Sequence, residues 1–115
     1  MRLLFVCSRN RLRSPTAAAV FSAYPGVEAM SAGTSPEAEN PISAELIEWA
    51  DVVLAMEKMH RRKLNQLFKA KLRAKKIVVL DIPDDYSFMD SELVRILKVK
   101  VSRCVDLRCV RSSLP

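Results

Sequence analysis

Glycine is scarce: there are two in 115 residues, with one histidine, one tryptophan and no block of a single charge or of low complexity. In a chain that is 50% hydrophobic, these absences argue against disorder and for a packed globular fold. Internal repeats and linkers are absent too. So are long hydrophobic runs. The run nearest the start, Leu3 to Val6, stops at Cys7, far short of a signal-peptide core or a membrane span, so a cytoplasmic protein with no membrane partner is expected. The three cysteines are odd in number, which disfavours a disulfide framework and leaves Cys7 a free thiol. A chain of this length is expected to be one domain, residues 1–115, with a single modest core and one active site.

What is present is positive charge. The formal net charge of +6 favours anionic partners, namely phosphoesters, nucleic acid or acidic protein surfaces.

Arg2 to Cys7 is a short apolar run rich in strand formers, the pattern of a central strand buried on both faces. Ser14-Pro15 opens a helix that ends near Pro25-Gly26, with Ser14 as the cap and Pro15 at the first helical position. Val27 to Ala32 reads as a second strand, closed by the turn residues Gly33 to Pro36. A helix follows from about Ser43, then strands over Asp51 to Met56 and Ile77 to Leu80. Between those strands runs a basic helix, about Lys58 to Leu72, with Met59, Leu64, Leu67, Phe68 and Leu72 at helical spacing. The last helix begins near Asp90 and carries Leu93, Val94, Leu97 and Val101 on one face. Strand and helix alternate four times, so the fold class is α/β: a doubly wound three-layer sandwich on a four-stranded parallel sheet. In such sheets ligands sit beyond the carboxyl ends of the strands, where Cys7, Gly33 and Asp81 to Tyr86 all fall.

The segment from Cys7 to Pro15 holds a cysteine, five residues, an arginine and a serine, set between the first strand and the first helix. That is the arrangement of a phosphate loop. Inward-pointing backbone N–H groups, together with the positive end of the following helix, stabilise negative charge on a bound phosphoryl group and on a thiolate. Cys7 is therefore the expected nucleophile, and Arg13 the planar fork that grips phosphate oxygens as the group transfers. Ser8, Arg9, Asn10, Arg11, Leu12 and Ser14 form the expected phosphate-binding set. Ser14 would hydrogen-bond the sulfur, and Asn10 would brace the loop. A leaving oxygen needs a proton, so a carboxylic acid belongs at the rim, and Asp81, Asp84 and Asp85 are the candidates after the fourth strand. Cys104 and Cys109 are read as structural thiols, His60 as a surface residue beside Arg61 and Arg62, and Trp49 as a core residue. No metal or cofactor is called for.

Together these residues resemble the low-molecular-weight protein tyrosine phosphatase family over nearly the whole chain. The match at Cys7, Asn10, Arg13, Ser14 and Pro15 implies nucleophile, loop brace, phosphate clamp, thiolate partner and helix start, respectively. Ser31 to Thr34 and Ala50 to Lys58 resemble the family's stretches after its second strand and through its third. Ile82-Pro83-Asp84-Asp85-Tyr86 resembles the acid loop, which implies Asp84 as the general acid, with Asp85 and Tyr86 at the substrate rim. The sequence departs from the family pattern at Arg9, where glycine is common, at Leu12, where a second cysteine is common, and in the short segment 35–49, where the family has a longer wall to its cleft.

The expected activity is hydrolysis of phosphate monoesters, phosphotyrosine-type, through a phosphocysteine intermediate. Two alternatives keep the same fold. One turns the site to nucleotide or RNA-end phosphates, including 2′,3′-cyclic phosphates, through the arginine-rich mouth of Arg9 and Arg11. The other retains the loop as a phosphate-binding or nucleic-acid-binding module without turnover. Arsenate reduction would need a thiol relay, for which Cys104 and Cys109 lie late in the chain.

Overall fold

The computed structural model describes residues 1–105. Its elements run β1 (Arg2–Cys7), α1 (Arg13–Ser22), β2 (Glu28–Gly33), α2 (Ala44–Trp49), β3 (Val52–Ala55), α3 (Lys58–Leu72), β4 (Lys76–Val79) and α4 (Ser91–Cys104). The four strands form one sheet in the order β2-β1-β3-β4, every neighbouring pair parallel.

Alternation along β1 builds two cores. Leu3, Phe5 and Cys7 face one way and pack with Ala17 and Phe21 of α1 and with Leu93, Leu97 and Val101 of α4. Leu4 and Val6 face the other way, with Ile47 of α2 and Leu64 and Leu72 of α3. Because β1 is covered on both faces, its side chains from Leu3 to Val6 are apolar without interruption. Phe5 and Phe21 stack with ring centroids 5.6 Å apart, tying α1 to the central strand. The expected three-layer α/β architecture is the one observed.

Several boundaries differ from expectation for local reasons. Ser14 is not a cap: α1 starts at Arg13, two residues earlier than expected, Leu12 holds the cap position without a side-chain bond, and Pro15 is the third helical residue, still within the turn where no N–H is needed. The Ser14 hydroxyl serves the loop instead. Ser43 and Asp90 do cap, accepting from the Leu46 and Glu92 N–H groups. The buried stripe of α3 runs through His60, Leu64 and Leu72, whereas Met59 and Leu67 lie about half exposed. Trp49 is half-buried against the second core, with the Arg2 guanidinium 5.9 Å from its ring centroid. Cys104 is a half-buried free thiol against the first core; Cys109 lies outside the described residues. Among the described residues no helix is long and apolar enough to cross a membrane.

Candidate active site

The strand order reverses direction at β1, with β2 on one side and β3 on the other, and the ligand crevice of such a sheet opens at the carboxyl end of that strand. Cys7 is the last residue of β1. The loop that follows is pinned from the β2 side by backbone bonds: Thr34 N–H donates to the Cys7 carbonyl and Ser35 N–H to the Ser8 carbonyl, both at 2.9 Å, and Glu39 N–H to the Arg9 carbonyl at 3.3 Å. Gly33, paired with Cys7 across the sheet, permits this approach. A Cβ at that position would lie 2.5 Å from the Ser8 carbonyl oxygen and 2.5 Å from the Ala38 Cβ, contacts that no side chain tolerates.

The loop turns at Asn10, whose φ of 57° lies in the left-handed region that asparagine tolerates better than most residues. Its side-chain oxygen accepts from the Ser14 hydroxyl at 2.9 Å, and Ser14 Oγ lies 2.8 Å from the Cys7 sulfur. One hydroxyl proton therefore faces two acceptors. With a thiol at Cys7 the S–H donates to Ser14 and the hydroxyl to Asn10; with a thiolate the hydroxyl can turn to the sulfur.

Arg13 is 3% exposed and firmly held. Its Nη1 donates to Glu57 Oε2 and to the Ile82 carbonyl, both at 2.7 Å, while its Nε lies 3.6 Å from Asp84 Oδ1. The acceptors for Nη1 come from the residues just after β3 and β4, so the sheet itself aims the guanidinium. Cys7, Ser8 and Arg13 line one cavity of about 320 Å³ with Arg9, Arg11, Leu12 and Asp84. Asn10 and Ser14 lie behind that surface, buried. The sequence places Asp85 and Tyr86 at the rim, but neither lines the cavity: Asp85 is exposed and Tyr86 packs half-buried against the first core. Asp81 lines a separate cleft beside Glu57, Lys58 and Arg62. Among the described residues no three of His, Cys, Asp and Glu group as a metal site.

Two residues at the start of α3 join the site without a motif to announce them. Glu57 anchors Arg13; the available signal is an acid directly after β3, one strand from Cys7. His60, expected at the surface, is 1% exposed. Its Nδ1 accepts from the Glu57 backbone N–H at 3.0 Å, and its Nε2 lies 3.0 Å from Ser8 Oγ. Burial first, then the nearby Arg13 cation, lower its pKa from 6.5 to about 4. A surface placement gives weight to its arginine neighbours in sequence and none to its position four residues before Leu64 on the buried stripe.

No family model matches the chain, and no curated protein matches it by sequence. Solved structures do match. A low-molecular-weight protein tyrosine phosphatase from T. tengcongensis aligns at 26% identity with a TM-score of 0.72, over 91% of this chain and 99% of the other. The YwlE arginine phosphatase from Geobacillus stearothermophilus aligns at 27% identity and 0.68, over 97% and 92%. The tyrosine phosphatase Wzb from Escherichia coli K30, solved with phosphate, aligns at 19% identity and 0.70, over 89% and 94%. A four-stranded parallel sheet with a cysteine at the end of its first strand, matched along nearly its full length by these phosphatases, gives this chain the fold of the low-molecular-weight protein tyrosine phosphatases.

Proposed function

We propose that the protein hydrolyses phosphate monoesters of the phosphotyrosine type through a phosphocysteine intermediate. The carrying observation is the placement of the Cys7 sulfur 2.8 Å from the Ser14 hydroxyl, in one cavity with a buried Arg13 whose Nη1 is already bound. Nε and Nη2 are then the donors left for phosphoryl oxygens. In the first step the Cys7 thiolate attacks phosphorus, the P–O bond breaks, and the leaving oxygen takes a proton from Asp84. In the second, water attacks the phosphocysteine, Asp84 receives the water's proton, and the thiolate leaves stabilised by Ser14. Arg13 holds the transferring group through both steps.

Arg9 and Arg11 support a second reading, in which the substrate is a nucleotide or an RNA-end phosphate. Both line the cavity and both are exposed, so a substrate with further phosphates has cations at the mouth to meet. A panel of aryl phosphates, phosphopeptides, mononucleotides and 2′,3′-cyclic ends, compared by kcat/KM, ranks the two readings.

The chemistry is tested at Cys7. Acid quenching of wild-type protein during turnover is expected to trap an S-linked phosphoenzyme, and Cys7→Ser should lose that linkage and turnover while keeping its fold, because a serine hydroxyl is a much weaker nucleophile at neutral pH. Turnover by Cys7→Ser would eliminate the mechanism. Phosphate binding without turnover in wild-type protein would instead favour the binding-module alternative.

A further inference from the structure

The hydrogen atoms around His60 can be assigned from its partners. Nδ1 accepts from the Glu57 backbone N–H, so Nδ1 carries no proton. A neutral imidazole has one N–H, which must then be on Nε2. Nε2 faces Ser8 Oγ at 3.0 Å and is therefore the donor in that bond. Neutrality follows from the surroundings: the ring is buried near the Arg13 cation, with the carboxylates of Glu57 and Asp84 as weaker opposing influences, and its pKa is lowered to about 4.

Two consequences follow for Ser8. His60 cannot act as a base toward it, since the facing nitrogen already holds a proton, so a serine–histidine nucleophile is excluded here. The Ser8 hydroxyl proton also cannot point at His60. Among the described residues His60 is the sole partner of Ser8 Oγ, and Ser8 lines the cavity with Cys7 and Arg13.

We propose that Ser8 donates its side-chain hydrogen bond to the phosphoryl group of the substrate, and that His60 is the positioning residue that fixes the hydroxyl in that role. This rests on the phosphatase reading of the cavity. A backbone loop binds phosphate through N–H groups alone; here one side-chain hydroxyl adds a further donor, and because its protein partner is itself a donor, its proton is left for a phosphoryl oxygen. The same helix start thus braces the site twice, Glu57 through Arg13 and His60 through Ser8.

The test is binding of inorganic phosphate, measured by calorimetry at pH 7 on the full chain, with kcat and KM for an aryl phosphate alongside. Ser8→Ala should weaken phosphate binding about tenfold, the size of one hydrogen bond to a charged group, and Ser8→Thr should restore it. His60→Asn can keep an acceptor for the Glu57 N–H while losing the reach to Ser8. It should weaken phosphate binding like Ser8→Ala and add nothing in the Ser8→Ala background. Phosphate binding unchanged in Ser8→Ala, or an effect of His60→Asn equally large with and without the Ser8 hydroxyl, would overturn the proposal. Wild-type protein that binds no phosphate would overturn the phosphatase reading first and this proposal with it.

Discussion

A guanidinium carries five N–H donors, and at Arg13 the two on Nη1 meet two fixed acceptors, Glu57 and the Ile82 carbonyl. The remaining edge is free to change partners. Asp84, with its side chain 64% exposed and 3.6 Å from Nε, is the carboxylate on that edge. Proton donation matters most for a poor leaving group. Asp84→Asn should therefore slow hydrolysis of phenyl or alkyl phosphates by roughly 10²–10⁴-fold, yet slow an activated nitrophenyl ester much less. Asp85→Asn, outside the cavity, should change both rates little. A leaving-group-dependent loss in Asp85→Asn would move the acid by one residue. Cys7, Arg13 and Asn10 are legible in the sequence because a fixed spacing between strand and helix leaves few other uses for them. Glu57 is not, because an acid after a strand is an ordinary surface residue until the neighbouring strand is known to lead into a buried arginine.

At the scale of elements, α3 joins the site to stability. Its extent, Lys58–Leu72, is legible from helical spacing, but its buried face is not. Arginines and lysines are as numerous as apolar residues there, and only the stripe of every fourth residue from His60 shows which side turns inward. A buried neutral histidine makes stability depend on pH. In the folded protein His60 takes a proton only near pH 4, whereas in the unfolded chain it does so near 6.5. Between those values the unfolded state binds more protons, so stability is fully present above about 6.5 and is lost as pH falls toward 4. The loss should be on the order of 2 kcal/mol. Denaturant unfolding at pH 7 and pH 4.5 measures it, and His60→Asn should lower stability at pH 7 while reducing the difference between the two pH values. An undiminished difference in the variant would place the acid sensitivity in other groups.

Across the whole molecule, the parallel topology gathers distant segments at one end of the sheet: Cys7 at the end of β1, Glu57 after β3 and Asp84 after β4 lie far apart in sequence and come together around the cavity and Arg13. That gathering is legible in the alternation of strands and helices, since right-handed crossovers carry every strand's carboxyl end to the same side. The bearing of charge is less so. A net charge of +6 says that anions are attracted, not where they arrive. Arg9 and Arg11, exposed at the cavity and outside the ion pairs found among the described residues, locate the attraction at the mouth. Lys69 lies in the last turn of α3 and Arg73 at its C-cap, the end of the helix away from Glu57 and His60. Reversing either pair to glutamate changes the net charge equally, so a comparison separates local from overall attraction. With an anionic aryl phosphate at low ionic strength, Arg9→Glu with Arg11→Glu should cut kcat/KM by roughly 10-fold or more and abolish its decline with added salt. Lys69→Glu with Arg73→Glu should lower kcat/KM only slightly and leave the salt dependence in place. Equal losses from the two reversals would assign the attraction to the net charge of the molecule and remove Arg9 and Arg11 from substrate capture.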